Sequence, residues 1–287
     1  MNDNVSILAL VCILFCCLQN IVRKQYSMKY QMGIFGFNAI SSFFAMWIFV
    51  IVSGEIVWSR EYLLYSLLYA FFCSVTGVAN FLAITQGSLA ITTLVIAYSL
   101  VIPTLYGILI LKEEIGMLQY MGVVLLLISL YLVRGKDEAV QKNKMTFRWI
   151  IYVSIAFVGN GMCAVVQQWQ QGVFGGKYDS SFMVVALAVS TIIMFVIACF
   201  TEKRSLVMVF KNGSIYAGLF GICNGMVNFL LLMIITVSAS SVAFPVLSAG
   251  QLVGVFLISC LLYKEKFIPR QIVGFACGIM TLILLNI

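Results

Sequence analysis

The chain has 287 residues, of which 63% are hydrophobic and 9% charged, with 17 Lys and Arg against 10 Asp and Glu and no His. Soluble domains run near roughly 45–50% apolar and 25% charged, so this composition, with a mean hydropathy of +1.09, excludes a water-soluble globular domain and makes the lipid bilayer the solvent. The net charge of +7 falls in the breaks between apolar runs, where it orients a membrane protein and does not mark a nucleic-acid surface.

A spanning helix needs roughly 20 predominantly apolar residues. Ten such spans are predicted, at residues 5–22, 31–53, 62–85, 89–111, 116–134, 147–168, 180–200, 213–236, 240–262 and 270–286. The first lacks a basic start, and Arg23-Lys24 follows it where a cleavage site would need small residues, so it reads as a retained helix, not a signal peptide. It carries Gln19 and Asn20, and the second span carries Asn38. In the third, Tyr69, Cys73, Thr76 and Asn80 follow helical steps and share one face. Gln86-Gly87-Ser88 is the only break before the fourth span, so the two form a tight hairpin. The fourth span holds Tyr98, Ser99 and Pro103, and a proline there removes a backbone hydrogen bond and bends the helix.

Residues 134–148 form the longest polar stretch, with Lys136, Asp137, Glu138, Lys142 and Lys144, and read as a linker. The division is residues 1–138, a linker at 139–146, and residues 147–287. Beyond the linker, the sixth span holds Asn160, Gln167 and Gln168 and the eighth Asn224 and Asn228, four apart on one face. The ninth holds Pro245, Ser248 and Gln251. Small residues such as Gly33, Gly36, Gly218, Gly221, Gly274 and Gly278 let helices approach closely. All nine cysteines fall inside apolar spans without metal-type spacing, so neither a disulfide framework nor a metal site is expected.

The chain repeats itself. Lys112-Glu113, Gln119 and Gly122 recur as Lys264-Glu265, Gln271 and Gly274, displaced by 152 residues. Gly77, Asn80, Phe81 and Leu82 recur as Gly225, Asn228, Phe229 and Leu230, displaced by 148, and a weaker match lays Gln19 to Tyr26 over Cys163 to Gln170. Five spans per copy is an odd number, so the second copy enters from the opposite face of the membrane. The expected fold is all-α and membrane-integral, with ten transmembrane helices as two inverted five-helix repeats. In secondary transporters built this way the solute site lies near the midplane, at the repeat interface.

An acid ending the fourth span of a five-span repeat, then Gln and Gly opening the fifth, all in duplicate, resembles the drug/metabolite transporter superfamily, in particular its ten-helix EamA-type members. The likeness covers nearly the whole chain, although Cys16-Cys17 stands where members often carry Trp-Gly. The resemblance implies a helical bundle whose central cavity is lined by the first four helices of each half, the fifth and tenth being peripheral.

Amide and hydroxyl side chains inside hydrocarbon must face a wet cavity or a neighbouring helix. The candidate solute-binding residues are Gln19, Asn20, Thr76, Asn80, Tyr98, Asn160, Asn224, Asn228 and Gln251, with interhelical bonding as the alternative role for the duplicated stripe. Glu113 and Glu265 end apolar runs beside Lys112 and Lys264, which explains ionised carboxylates at the interface. No other acid sits deeper, so the midplane is expected to be uncharged.

Nothing clusters as a catalytic or metal-binding constellation, no phosphate-binding glycine loop occurs, and neither an enzyme nor a cofactor is expected. The expected activity is transport of a small polar or amphipathic metabolite by alternating access, facilitative or secondary active. A proton-coupled drug or metabolite exporter and a lipid-translocating accessory protein are the alternatives.

A cytoplasmic N-terminus would leave only Arg60, Lys112 and Lys177 in inside loops, so the positive-inside rule predicts a multi-pass protein of the cell membrane with both termini outside. The resemblance implies the opposite arrangement more often.

Overall fold

The structure, a computed structural model, describes residues 3–30, 32–53, 56–103, 106, 116–133, 146–237, 240–265 and 267–285. Every described element is helical: α1 (Asp3–Tyr30), α2 (Ile34–Ser53), α3 (Leu63–Gln86), α4 (Leu89–Ala97), α5 (Met117–Val133), α6 (Phe147–Phe174), α7 (Asp179–Thr201), α8 (Lys203–Met208), α9 (Ser214–Val237), α10 (Ser240–Leu261) and α11 (Pro269–Leu285). A 3₁₀ turn at Tyr98–Leu100 follows α4, and a π-helical turn at Val209–Gly213 joins α8 to α9. Among the described residues, six helical segments are long and apolar enough to cross a bilayer: α1, α2, α3, α6, α7 and the run from α8 into α9.

The outer surface is itself apolar. Leu14, Ile51, Phe200, Ile215 and Leu261 are each at least 68% exposed. In water such a surface drives aggregation, whereas against acyl chains it is the solvated face. The chain is therefore a membrane-embedded helical protein.

Two helix starts are set by acids reaching over from another part of the chain. Gly33 takes a left-handed φ of +73°, which a glycine adopts without strain. Directly after it, the Glu202 carboxylate accepts from the N–H groups of Ile34 and Phe35 at 3.1 Å each, placing negative charge on the positive end of α2. Glu265 does the same for α4. α1 runs eight residues past the predicted end at residue 22, since Arg23, Lys24 and Gln25 are good helix formers that a hydropathy window reads only as a break.

Pairwise packing follows a regular scheme. α1 lies on α9 and α3 on α6; α2 packs on α7 and α5 on α11. α2 also meets α9, α3 meets α7, and α10 meets both α1 and α4. Close approach rests on missing side chains: a Cβ at Gly221 of α9 would lie 2.3 Å from the Ser41 carbonyl oxygen of α2. At the α5–α11 end, a Cβ at Gly278 would fall 2.2 Å from the Tyr98 hydroxyl.

Candidate functional site

Among α1, α2, α3, α4, α6, α7, α9 and α10 lies a cavity of about 350 Å³. That is near the lower end of roughly 300–1,000 Å³ for small-molecule sites. Its wall mixes amide and hydroxyl side chains with apolar ones. From α1 come Gln19 and Asn20, one helical turn beyond Cys12 and Cys16 on the same face, followed by Arg23. From α3 come Tyr69, Cys73, Thr76 and Asn80, the stripe legible in the sequence, with Ser74 beside them. Asn160, Asn224, Asn228 and Gln251 complete the predicted set that lines the cavity.

Tyr98 does not belong to this wall. It is fully buried on the far side of α4, its hydroxyl paired with the Ser129 hydroxyl, which in turn donates to the Gly274 carbonyl at 2.6 Å. The 3₁₀ turn that begins at Tyr98 points it toward α5 and α11 while Ala97 beside it still faces the cavity. Pro103 lies four residues after Ser99 and supplies no N–H to its carbonyl, a local reason for the tightened turn. The side chains of Pro245 and Ser248, and all of Lys112, Glu113 and the linker from 134 to 145, lie outside the described residues.

Some wall amides are also tied to one another. Asn224 Nδ2 donates to Gln19 Oε1 at 3.2 Å across the α1–α9 contact, and Asn228 Nδ2 donates to the Asn224 carbonyl at 2.8 Å. Asn160 Nδ2 donates to Ser99 Oγ at 2.7 Å. Asn80 Oδ1, in contrast, is buried without a hydrogen-bond partner. The stripe is thus partly interhelical bonding and partly open valence.

Sequence reasoning missed two features. Ser190 Oγ sits 2.8 Å from Ser74 Oγ and 3.5 Å from Ser42 Oγ, joining α7 to α3 and α2 across the cavity floor. Ser42 and Ser190 are 148 residues apart, the displacement of the Gly77 match, so the repeat held the signal. The second is Arg23, assigned to a loop by hydropathy but 7% exposed and in the cavity wall. Its guanidinium carbon lies 4.2 Å from the centroid of Phe220, and its Nε has no hydrogen-bond partner. The cavity wall thus holds one buried cation among the described residues. No Asp or Glu lines the cavity among the described residues.

Beyond Phe220 the bundle is closed by aromatic rings. Phe37 lies 5.5 Å from both Phe220 and Phe81, and 4.5 Å from Tyr26, all centroid to centroid. Tyr26, Phe37 and Phe81 are fully buried, so this plug separates the cavity from the surface near Gly33 and Glu202.

Glu265 stands apart from the cavity wall. Its carboxylate accepts from the Ser88 hydroxyl at 2.6 Å, from the Leu89 N–H at 3.0 Å and from the Ser259 hydroxyl. Lys24 Nζ donates to the Ile84 and Gly87 carbonyls at 3.0 and 3.1 Å. The acid thus sits on the positive end of α4 and the lysine on the negative end of α3, clamping the Gly87-Ser88 hairpin from both sides. Burial and the Glu265 carboxylate push the Tyr263 phenol up to about 12, so it remains a neutral donor to the Ile21 carbonyl at 3.2 Å.

No family model and no curated protein match the chain. A solved structure described only as "Crystal structure of protein" is similar to it with a TM-score of 0.59, covering 99% of this chain and 96% of that one, at 10% sequence identity. At that identity the likeness is one of fold alone.

Proposed function

We propose that the protein is a secondary carrier for a small organic metabolite, built of ten spans as two inverted five-helix repeats of the drug/metabolite transporter type and working by alternating access. The observation that carries this reading is the cavity: a chamber of about 350 Å³ rich in amide and hydroxyl side chains inside an apolar exterior, two of whose lining helices, α3 and α9, share a duplicated Gly-x-x-Asn-Phe-Leu pattern. A soluble ligand has no reason to meet such a chamber unless it crosses the membrane through it.

The packing scheme supports the repeat. Exchanging each span with the one five positions along converts the α1–α9 contact into α3–α6, returns α2–α7 and α5–α11 to themselves, and converts α2–α9 into α3–α7. A pseudo-two-fold axis between the two halves would produce this exchange, and an odd number of spans per half would set that axis in the membrane plane. The serine contact between Ser42 and Ser190, equivalent positions under the 148 displacement, lies where such an axis would pass. The aromatic plug at Tyr26, Phe37, Phe81 and Phe220 supports a chamber closed on one side at a time.

Purified protein is first screened for thermal stabilisation by amino acids, amines, carboxylates, nucleosides, vitamins and sugars, since a ligand that binds the folded state raises its stability. A hit is then followed in proteoliposomes. A carrier gives saturable uptake that unlabelled solute inside accelerates. Uptake proportional to concentration, with no acceleration by internal solute, is the mark of a pore and overturns the proposal.

A further inference from the structure

Arg23 is the one charged side chain in the cavity wall among the described residues. A guanidinium stays protonated in proteins, and an ionised group held away from water is costly unless an opposite charge or full hydrogen bonding compensates it. Here that compensation is incomplete. Among the described residues no carboxylate lines the cavity, and Nε is buried without a partner. The Phe220 ring at 4.2 Å covers one face of the guanidinium and leaves its N–H edge, the part that binds anions, unused by the stacking.

The next residue makes the contrast. Lys24 points to another side of α1 and is spent on the Ile84 and Gly87 carbonyls, so it takes no part in the cavity. One buried cation, with no second beside it among the described residues, matches one negative charge. A dianionic phosphate would leave a charge uncompensated in a low-dielectric chamber. Nearby Asn20 and Asn38 are neutral, while Ile96, Leu187, Met194 and Leu247 give another part of the wall apolar character.

We propose that the cavity binds a small organic monocarboxylate, with Arg23 pairing its carboxylate and the apolar wall receiving its body. The transport of that anion rests on the carrier reading above; its binding does not.

The test titrates purified protein with benzoate, phenylacetate and hexanoate, each beside its primary amide and the amine of the same skeleton, by thermal shift and isothermal calorimetry. At least one carboxylate should bind the wild type at least about tenfold more tightly than its amide and its amine, about 1.4 kcal/mol. Arg23→Gln should erase that preference and Arg23→Lys keep part of it. The comparison on the wild type decides the matter even where Arg23→Gln fails to fold. Equal affinity for the amide, no binding of any carboxylate, or an undiminished preference in a folded Arg23→Gln each overturns the inference. Counterflow of a neutral or cationic solute alone would sink the anion site and leave the carrier. Carboxylate binding that needs Arg23, with no counterflow, would sink the carrier and leave the site.

Discussion

Asn80 and Asn228 occupy equivalent positions of the sequence duplication, yet their side chains meet different surroundings. Asn228 Nδ2 bonds back to the Asn224 carbonyl at 2.8 Å, while Asn80 Oδ1 is buried and unpaired. Asn228→Ala should therefore lower thermal stability by the worth of one bond, about 0.5–1.5 kcal/mol, whereas Asn80→Ala should cost less because no bond to Oδ1 is lost. Both should weaken binding of the solute found by the screen severalfold. Melting curves and titrations on the two variants check this, and unchanged solute affinity in both would return the stripe to a purely interhelical role. The amides were legible in the sequence because Asn and Gln are conspicuous in hydrocarbon and repeat on one face. Ser42, Ser74 and Ser190 were not, because hydroxyls are common and near neutral in hydropathy. Arg23 was misread for a different reason: a charge next to an apolar run looks like its end, although the helix continues to Tyr30 and buries it.

At the scale of elements, Lys24 and Glu265 act on one hairpin from opposite sides. Removing either leaves a helix end without its complementary charge, and such ends are worth about 1 kcal/mol. Glu265→Gln and Lys24→Met should each lower the melting temperature, and the double variant should cost less than the sum, since both serve the Gly87-Ser88 turn. Solute affinity should be nearly unchanged, because neither side chain lines the cavity. A large loss of binding at full stability would move Glu265 into the transport cycle instead. Helix contacts carry a second contrast. Gly221→Ala drives a methyl to 2.3 Å from the Ser41 carbonyl oxygen, an overpacking that costs about 1–3 kcal/mol. Gly172→Ala meets nothing within 4 Å on the exposed face of α6 and should stabilise by up to about 1 kcal/mol through helix propensity. Thermal melts of the pair should move in opposite directions, and a stable Gly221→Ala variant would contradict the backbone contact between α2 and α9.

For the whole molecule, composition and span length made the membrane-embedded helical class legible, since lipid leaves the backbone little choice but helices. The helix ends were not, because Glu202 and Glu265 cap α2 and α4 from far along the chain and hydropathy carries no record of such contacts. The burial of Arg23 and the commitment of Lys24 to α3 also bear on orientation, because only loop charges count toward the positive-inside rule. Without those two, the ten-span topology proposed above still puts Lys29, Lys203, Arg204, Lys211, Lys264, Arg270 and the basic linker on the side of Gly33 and Gly87, against Arg60, Lys112 and Lys177 opposite. The bias survives, so both termini are predicted to face outward and the linker the cytoplasm. All nine cysteines are free, so a cysteine-free background removes no disulfide. A single cysteine introduced at Lys142 should then resist a membrane-impermeant maleimide in intact cells and react after lysis, while one at Arg60 should react in intact cells. The reverse pattern would invert the topology, and with it the face of the membrane toward which the aromatic plug closes the cavity.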